Sequence, residues 1–566
     1  MQQIYLHIVY YSELNVKSNG LYQTIQHDSY EPMALCYAFD DEKIQIADLT
    51  VEKRLPGKVV GAVLNPNIIK YAYNAEATWL QLTQILKRTF DYENWRDISK
   101  FLQYLGIAEE VSGISEYEKF FCHSQRFGKI VVRNKAVDFP EKWKQYRENM
   151  NGYINILFKI KRKYACYMKE NVWKIQRYMV RVHSNKLEIK PERLILANQK
   201  ENGKFLSTLK EVSEVLNLKS EKDYKELSAV VKGELSEEEE KRILKKSAEA
   251  IGWNRARIKH YQQKMSCEHV MRFSNLINKC RYMSYLQGCD YSDEIILFLL
   301  ENATFFSKET RRYLCTYQNF EIAIVKWLSN DQQLQSLQID LSNQDNSIAG
   351  DVYKACLYGG GKTNLEFLRT GKQNNGNLSW NRMVREWRAA NKEIVSLWGM
   401  LFRACCYCLL FQTSLEVGKI KLSYIKGSLR IILPSERNIM LLECQIDKDE
   451  QGESKIWYKE NKKGKKQNKQ YLDGGKLCRI ITSFVQQDII EELLLVLMDK
   501  EFHVIAVGSN CIAVEEEQNA LKEDELHNVL RTLPEWCKGL YLIENIQCIG
   551  KEQNEDRTLQ EVDRKS

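Results

Sequence analysis

Three consecutive glycines, Gly359–Gly361, stand directly before Lys362 and Thr363, a combination that could hold a phosphate group. A P-loop, however, needs another glycine five residues before the last one, and Cys356 stands at that position. We therefore expect no ATP-binding role for this segment. The glycines instead predict a turn that needs a positive φ or the close approach of another backbone.

A second segment with chemical potential is the lysine-rich run 459–469, in which only Glu460 carries the opposite charge. As a flexible basic hairpin, it could follow a phosphate backbone with little sequence specificity. A solvated loop that keeps the protein soluble explains the same lysines, and both interpretations are open. The candidate nucleic-acid-binding residues are Lys459, Lys462, Lys463, Lys465, Lys466, Lys469 and Lys476. The net charge of +8 permits a polyanionic partner without requiring one.

The sixteen cysteines do not form a metal site in the sequence. No CxxC pair is followed by a second pair or by histidines at zinc spacing. Cys405, Cys406 and Cys408 are the only cluster, and on a helix they point in different directions. This pattern predicts a buried helix of reduced cysteines.

Apolar spacing indicates the elements that carry these residues. From Trp380 onward, apolar residues recur with the period of a helix that buries one face, and Asn391 marks a predicted break between two helices. The first 50 residues alternate short apolar runs with breaks at Gly20 and Asp40, which is typical of a sheet built from hairpins.

Length and composition indicate a soluble, helix-rich globular protein. A chain of 566 residues is too long for one core, so we expect about two to four domains. The apolar run 397–411 is interrupted by Arg403 and is predicted to be too short to span a bilayer. No signal peptide is recognisable at Met1, and we expect a cytoplasmic protein without a membrane partner.

Three motifs occur in a fixed order: DVYK at 351–354, LYGGG at 357–361 and EWRAANKEIVSLW at 386–398. Together they resemble the fingers region of family A, polymerase I-like, DNA polymerases of the bacteriophage type. Followed outward, the resemblance covers nearly the whole chain. It implies an α/β and α+β multidomain fold, with an RNase H-like exonuclease domain followed by a right-hand polymerase of thumb, palm and fingers.

The resemblance also divides the chain. The implied regions are an exonuclease-like domain (1–165), a helical thumb-like region (166–313), a first palm part with motif A (314–350), a fingers-like region (351–470), a second palm part with motif C (471–549) and a polar tail expected to be disordered (550–566). In the fingers, the family has a basic helix between DVYK and YGGG that holds the incoming triphosphate. Here Tyr358 follows Lys354 too closely for that helix, so most of the nucleotide-binding element is missing.

The family's exonuclease domain carries two carboxylates on its first strand, before a Thr-Tyr-Ser sequence. Aligning Tyr11–Ser12 with that sequence puts His7 and Val9 at the carboxylate positions, and the resemblance puts Thr78 and Met150 at two further acidic positions. Hydrolysis by two metal ions needs charged oxygen ligands, so all four positions are predicted to be degenerate. The alternative is that the true carboxylates lie elsewhere, at Glu13, Glu76, Asp97 or Glu148.

The palm positions follow the same pattern. Trp327–Leu328 aligns the segment from Leu314 with motif A, and Thr316 then replaces a metal-binding aspartate. The hairpin FHVIAVGSNCIAVEEE matches motif C and places Ser509 in its turn. Phosphoryl transfer depends on metal charge and positioning, so we predict no catalytic residue and no metal or other cofactor. Basic residues that could contact phosphate, or belong to solvated faces, are Lys279, Arg281, Arg311 and Arg312.

The selective loss of charged residues predicts a catalytically inactive polymerase-like protein of phage or mobile-element origin. It would bind nucleic acid, DNA in preference to RNA, or a protein partner such as an active polymerase or nuclease. One alternative is an active template-directed polymerase with displaced Mg²⁺ ligands. Others are a pure protein-interaction subunit without DNA affinity and a prophage remnant without a selected role.

Overall fold

The computed structural model describes residues 2–107, 140–188, 310–330, 352–361, 380–448, 454–460 and 468–549, apart from gaps at 15, 17–19, 41, 186, 354 and 518. Short pieces at 285–286, 296–297 and 300 are also described. The predictions for most of the thumb-like region, for the tail and for Lys462, Lys463, Lys465 and Lys466 fall outside these residues.

The N-terminal sheet contains five strands in the order β3-β2-β1-β4-β5. They are β1 (Gln3–Tyr11), β2 (Glu31–Phe39), β3 (Gln45–Asp48), β4 (Ile69–Ala72) and β5 (Trp95–Asp97). The first three pair antiparallel, whereas β4 runs parallel to both β1 and β5. Ile4, Leu6 and Ile8 of β1 enter one hydrophobic cluster, while Tyr5 and Val9 enter another. The sheet is therefore buried on both faces, as the alternation of a strand allows.

Helices provide the cover for this sheet. They are α1 (Leu21–Gln26), α2 (Leu49–Glu52), α3 (Gly57–Leu64), α4 (Ala75–Leu86), α5 (Ile98–Tyr104), α6 (Pro140–Tyr164) and α7 (Glu170–Ser184), with a 3-10 turn at Ala165–Tyr167. Helix α6 packs on β1 and β2, and α7 packs on β5 and α5. Because α6 lies across the face that holds Val9, it closes the side of the sheet on which the exonuclease positions were predicted.

The rest of the described chain begins with short strands and a helix and continues into the fingers-like region. Its elements are β6 (Leu187–Glu188), β7 (Tyr285–Leu286), β8 (Thr310–Gln318), α8 (Phe320–Leu328), α9 (Trp380–Ala390) and α10 (Lys392–Phe411). The predicted break at Asn391 is confirmed, since α9 ends just before it and α10 begins just after it. Asn391 holds the junction by donating from Nδ2 to the Trp387 carbonyl, at 2.8 Å.

Two small antiparallel sheets follow α10. The first has β9 (Ser414–Val417), β10 (Ile420–Ile425), β11 (Ser428–Ile432) and β12 (Asn438–Leu441), and the second has β13 (Gln445–Lys448), β14 (Ser454–Glu460) and β15 (Asn468–Leu472). The long helix α11 (Gly474–Asp499) then crosses the molecule and packs against α7, α8 and α10. It therefore joins the N-terminal domain to the C-terminal part.

The last sheet combines β8 with strands from the end of the chain, in the order β16-β17-β8-β18. The elements are β16 (Val504–Val507), β17 (Ile512–Glu517), α12 (Ala520–Arg531), a 3-10 turn at Glu535–Cys537 and β18 (Ile543–Ile549). All pairings are antiparallel, and β17 lies beside β8 with Ile512 opposite Cys315. The predicted hairpin around Ser509 is therefore present as β16 and β17.

Helix α10 corrects one expectation. Among the described residues, it is the one helix that is long and apolar enough to cross a membrane by length and composition. The prediction that this run is too short was wrong, because the helix extends 20 residues from Lys392. A buried helix of a globular core passes the same test, and seven residues of α10 are buried in the main hydrophobic cluster. Cys405, Cys406 and Cys408 are free thiols, with Cys406 half-buried and the other two buried.

Candidate functional site

The first predicted site lies where β1 meets α6. The His7 ring stacks on the Tyr153 ring of α6, with centroids 3.9 Å apart. Burial lowers the pKa of His7 to about 3, so its imidazole is neutral at physiological pH. Val9 is buried two residues further along the same face.

Met150 of α6 is fully buried in the same hydrophobic cluster as Val9. Its carbonyl accepts a weak hydrogen bond from the Cys36 thiol, at 3.6 Å. Thr78 is buried in α4, where its hydroxyl donates to the Asn74 carbonyl at 3.0 Å. None of His7, Val9, Thr78 and Met150 offers the charged oxygen ligand that a pair of Mg²⁺ ions requires.

Of the four alternative carboxylates, two have hydrogen-bond partners within the fold and two are exposed. Asp97 caps α5 and accepts from the backbone N–H groups of Lys100 and Ala75, at 3.1 and 2.7 Å. Burial raises the pKa of Asp97 to about 6. Glu76 accepts from the Tyr22 hydroxyl at 3.1 Å and lies 3.0 Å from His183 Nδ1. The other two, Glu13 and Glu148, are exposed.

Metal-binding geometry is missing from the described part of the chain in general. Within those residues, no three His, Cys, Asp or Glu side chains are grouped so that they could hold a metal ion.

The second predicted site lies at one end of the sheet β16-β17-β8-β18. Thr316, near the end of β8, donates from its hydroxyl to the Asn545 carbonyl at 3.2 Å and accepts from Asn545 Nδ2 at 3.1 Å. Ser509 is exposed in the turn between β16 and β17, and the register of β17 on β8 brings this turn to the same end of the sheet. Beside it, Gln486 Nε2 donates to Asn510 Oδ1 at 3.1 Å. Neutral hydroxyls and amides thus meet at this end.

Three charged residues in or beside this sheet already have protein partners. Arg312 is fully buried, and its Nε lies 2.9 Å from the carboxylate of Glu515, which is itself buried. Because this guanidinium is inside the core, the expectation that Arg312 could contact a phosphate was wrong. Glu321, at the start of α8, accepts from the Tyr358 hydroxyl at 3.3 Å.

The glycine run packs tightly on α11. Gly359 has a φ of +82°, which confirms the predicted need for glycine there. A Cβ on Gly475 would lie 2.2 Å from the Tyr358 carbonyl oxygen, and one on Gly474 would lie 2.0 Å from the Trp398 carbonyl oxygen. Arg388 Nη2 donates to the carbonyls of Gly359 and Gly360, at 3.3 and 3.1 Å. This segment is thus a packing element between α9, α10 and α11.

Three of the seven candidate lysines belong to described elements. Lys459 and Lys469 face each other across β14 and β15, so the flanks of the basic run form the predicted hairpin. Lys459 Nζ also lies 2.8 Å from the Glu443 carboxylate. Lys476 Nζ sits 4.9 Å from the centre of the Tyr458 ring. The described ends of the basic run thus belong to a sheet that leads directly into the start of α11.

A buried cluster around Arg437 was not anticipated from the sequence. Arg437 Nη1 lies 2.6 Å from Asp488, Nε donates to the Tyr104 carbonyl at 2.7 Å, and Glu491 lies 3.7 Å away. The guanidinium also stacks between the rings of Tyr104 and Phe484, at 4.2 and 4.6 Å. The sequence does contain the opposite charges, Arg437 before β12 and Asp488 in α11. The two residues are about 50 positions apart, so the sequence alone did not indicate that they pair.

The architecture is that of a polymerase. Over 98% of its length, the chain superimposes on 96% of a structure described as the POL domain of Pol1 from M. smegmatis in complex with DNA primer-template and dNTP. The TM-score is 0.51 and the sequence identity is 10%, so this likeness concerns the fold alone.

In sequence, the chain is similar to the DNA polymerase of Bacillus phage SP02. The two are 20% identical over 640 aligned positions, which cover 96% of this chain and 98% of the phage protein. No protein-family profile matches the chain. The expected resemblance to family A-like polymerases of the phage type is nevertheless confirmed, and the fold is mixed α/β and multidomain.

Proposed function

We propose that this chain is a polymerase-fold protein that binds DNA and has lost both phosphoryl-transfer sites. The observation that carries the proposal is the shared burial of Val9 and Met150 in one hydrophobic cluster. A two-metal site needs an open, charged cleft, whereas this position is closed and apolar.

The N-terminal sheet, in this proposal, is an RNase H-like exonuclease domain without its chemistry. Its strand order, β3-β2-β1-β4-β5, with three antiparallel strands followed by two parallel ones, supports the assignment. His7 supports the loss of activity, since a neutral imidazole stacked on Tyr153 neither carries negative charge nor faces solvent freely.

The palm-like sheet is proposed to be inactive for a similar reason. Thr316 and Ser509 come to one end of the sheet without a carboxylate at either position. A neutral hydroxyl stabilises a divalent cation far less than a carboxylate does, and phosphoryl transfer relies on metal charge at this point. Loss of both ligands is expected to lower the rate by many orders of magnitude.

DNA binding is proposed from the fold and the basic hairpin. The M. smegmatis structure contains a DNA primer-template, and the two folds agree over nearly the whole chain. The basic run 459–469 connects β14 to β15, and β15 leads into the start of α11. Its lysines supply the positive charge that non-specific phosphate contacts require. A protein partner, such as an active polymerase or nuclease, is the second element of the proposal, and it is favoured if DNA binding is not observed.

The test combines binding and turnover on the same sample. Fluorescence anisotropy with single-stranded, duplex and primer-template DNA over a salt series is expected to show binding that weakens as salt rises. Mg²⁺-dependent extension and degradation are expected to be undetectable. Extension that a single acidic substitution abolishes would instead establish an active polymerase with displaced ligands.

Charge reversal separates the binding surfaces. Reversal of Lys462, Lys463, Lys465 and Lys466 to glutamate is expected to weaken DNA binding and to reduce its salt dependence. The matched control reverses four exposed lysines outside the hairpin, Lys43, Lys53, Lys87 and Lys426. Equal loss in both variants would indicate a general charge effect, and unchanged binding in both would show that the hairpin lysines do not contact the DNA.

A further inference from the structure

The three-stranded sheet β13-β14-β15 has one buried face and one outward face. Ile456, Tyr458 and Leu472 are buried in the main hydrophobic cluster. Because side chains alternate along a strand, their neighbours Trp457 and Tyr471 lie on the opposite face. Tyr471 is 37% exposed and Trp457 is half-buried. The sheet therefore carries two aromatic rings on the side that faces away from the core.

These two rings form a pair. Trp457 and Tyr471 are directly opposite each other in the register of β14 and β15. The ring centroids are 5.7 Å apart, and the ring planes are inclined at 65°. A flat ligand that stacks on one ring would meet the second ring close to its edge. The pair therefore offers a flat ligand more apolar contact than one exposed ring would.

Basic residues flank this pair. Lys455 and Lys459 stand two residues before and after the tryptophan in β14, so they belong to the same face of the strand. Lys459 is balanced by Glu443, 2.8 Å away, and Asp447 is opposite Lys455 in the register. The sequence that joins β14 to β15, residues 461–467, adds four lysines and no acidic residue. Positive charge is therefore in excess next to the rings, which favours a polyanionic ligand.

We propose that Trp457 and Tyr471 form an aromatic platform on which bases of single-stranded DNA stack. The platform rests on the proposed DNA binding and specifies the form of DNA that the chain prefers. A single strand offers both free base faces and phosphates, which match the rings and the lysines. A duplex keeps its base faces within its own stack, and an apolar peptide would leave the lysines without a partner. Every base has a flat face, so the platform reads no particular sequence.

The first test compares two forms of DNA by fluorescence anisotropy, with a labelled single strand of about 20 nucleotides and the matching duplex. Trp457→Leu combined with Tyr471→Leu removes both rings and keeps apolar side chains. Affinity for the single strand should fall at least about tenfold, whereas affinity for the duplex should not change. The dependence of binding on salt should also be unchanged, because the lysines are still present. Equal losses for both forms of DNA, or no loss for either, would overturn the proposal.

A second aromatic pair provides the matched control. Tyr407 and Phe411 of α10 are 47% and 65% exposed, with ring centroids 4.5 Å apart. Tyr407→Leu combined with Phe411→Leu should leave the affinity for the single strand unchanged. A loss as large as that of the platform variant would contradict the location of the site at Trp457 and Tyr471.

Conservative replacement separates stacking from a structural effect. Trp457→Phe combined with Tyr471→Phe keeps a ring at each position, so affinity for the single strand should stay within about threefold of the wild type. A loss as large as that of the leucine variant would contradict stacking on these rings.

A further measurement uses the unaltered protein and does not depend on the folding of any variant. A single strand that contains 5-iodouracil is irradiated together with the protein, and mass spectrometry identifies the crosslinked residues. Crosslinks to Trp457 or Tyr471 are expected, and crosslinks confined to other residues would overturn the platform. If no form of DNA binds to the wild type, the proposed function fails together with the platform. DNA binding that the leucine variant leaves intact would contradict the platform alone.

Discussion

At the scale of single residues, His7 is held by aromatic packing and burial. Its ring is part of a stack with Tyr153, and burial lowers its pKa from 6.5 to about 3. In the unfolded chain the same imidazole titrates near its ordinary value. The folded state therefore binds fewer protons than the unfolded state between these two values, so His7 contributes stability that is present above pH 6.5 and is lost as the pH falls toward 3.

The lowered pKa of His7 predicts that the stability of the protein decreases as the pH falls from 6.5 toward 3. His7→Phe keeps an aromatic ring against Tyr153 but removes the titrating group. Each pKa unit corresponds to about 1.4 kcal/mol, so the stability of the wild type relative to the variant should fall by a few kcal/mol between pH 7 and pH 4. Urea denaturation at several pH values measures it. Parallel curves for the two proteins would mean that His7 is not buried in its neutral form.

The pKa of Asp97 is shifted upward, so its effect on the pH dependence of stability is opposite to that of His7 and has to be measured separately. Its folded-state pKa, about 6, lies above the ordinary value of 3.8 because the carboxyl is buried. The folded state then binds more protons in this window, so the stabilising contribution is complete below pH 3.8 and is lost as the pH rises to 6. In the Asp97→Asn variant, urea denaturation at the same pH values should no longer show this decrease in stability between pH 3.8 and pH 6. A fall retained in full would assign it to another group.

Single residues also show what the sequence could predict. The turn that carries Ser509 was predictable, because apolar strands on both sides frame a Gly-Ser-Asn sequence. The ion pair of Arg312 with Glu515 was not, since it depends on the register of β8 against β17, two strands about 200 positions apart in the chain. Opposite charges at otherwise apolar strand positions were the only local indication.

At the scale of elements, α11 depends on close backbone contacts. The helix begins at Gly474, with the Asp473 side chain accepting from the Lys476 N–H at 2.7 Å. Its first two glycines lie against the carbonyls of Trp398 and Tyr358, where even a methyl group would come within about 2 Å of an oxygen. The start of α11 thus fits against these carbonyls only when Gly474 and Gly475 carry no side chain.

Gly475→Ala is therefore expected to destabilise the protein by several kcal/mol or to displace the Gly359 turn, since the new Cβ meets backbone rather than a flexible side chain. The control is Gly61→Ala in the middle of α3, where nothing lies within 4 Å of the added Cβ. That change should stabilise the helix by about 0.5–1 kcal/mol. Thermal unfolding of both variants measures the difference, and equal effects would contradict the close packing of α11.

Element boundaries were predictable where a local signal existed. The break at Asn391 was predictable because this polar residue separates two stretches with helical apolar spacing. In the structure, the Tyr353 hydroxyl donates to Asn391 Oδ1 at 3.1 Å. The apolar run 397–411 was predicted to be too short to cross a membrane because Arg403 was treated as an interruption of it. A single charged residue on the exposed side does not end a helix whose opposite side is buried.

At the scale of the whole molecule, one hydrophobic cluster crosses the boundary between the N-terminal domain and the rest. Met440 and Leu442, from the second half of the chain, are buried with Phe101 and Trp173. The Met440 N–H donates to the Leu105 carbonyl at 2.8 Å, and Arg437 adds its bond to the Tyr104 carbonyl. Because of this continuity, loss of the N-terminal domain would expose the core of its neighbour.

Arg437 is the charged group on which this junction depends. Arg437→Met would leave the carboxylates of Asp488 and Glu491 without their cationic partner, and it would remove the bond to Tyr104. Removal of one member of a buried ion pair costs about 3–5 kcal/mol, so the free energy of unfolding should fall by that amount. Hydrogen exchange should show coincident opening of β1 and β17 in the wild type and earlier opening of β1 in the variant.

Two controls make this prediction decisive for the junction. Lys174→Met removes a partly exposed ion pair with Asp499, which also joins α7 to α11, and should cost at most about 1 kcal/mol. Arg437→Met combined with Asp488→Leu removes the closer ion pair, leaves Glu491 in place, and should recover part of the loss. If Arg437→Met costs no more than Lys174→Met, or if β1 and β17 still open together, the N-terminal domain is held by its apolar contacts alone.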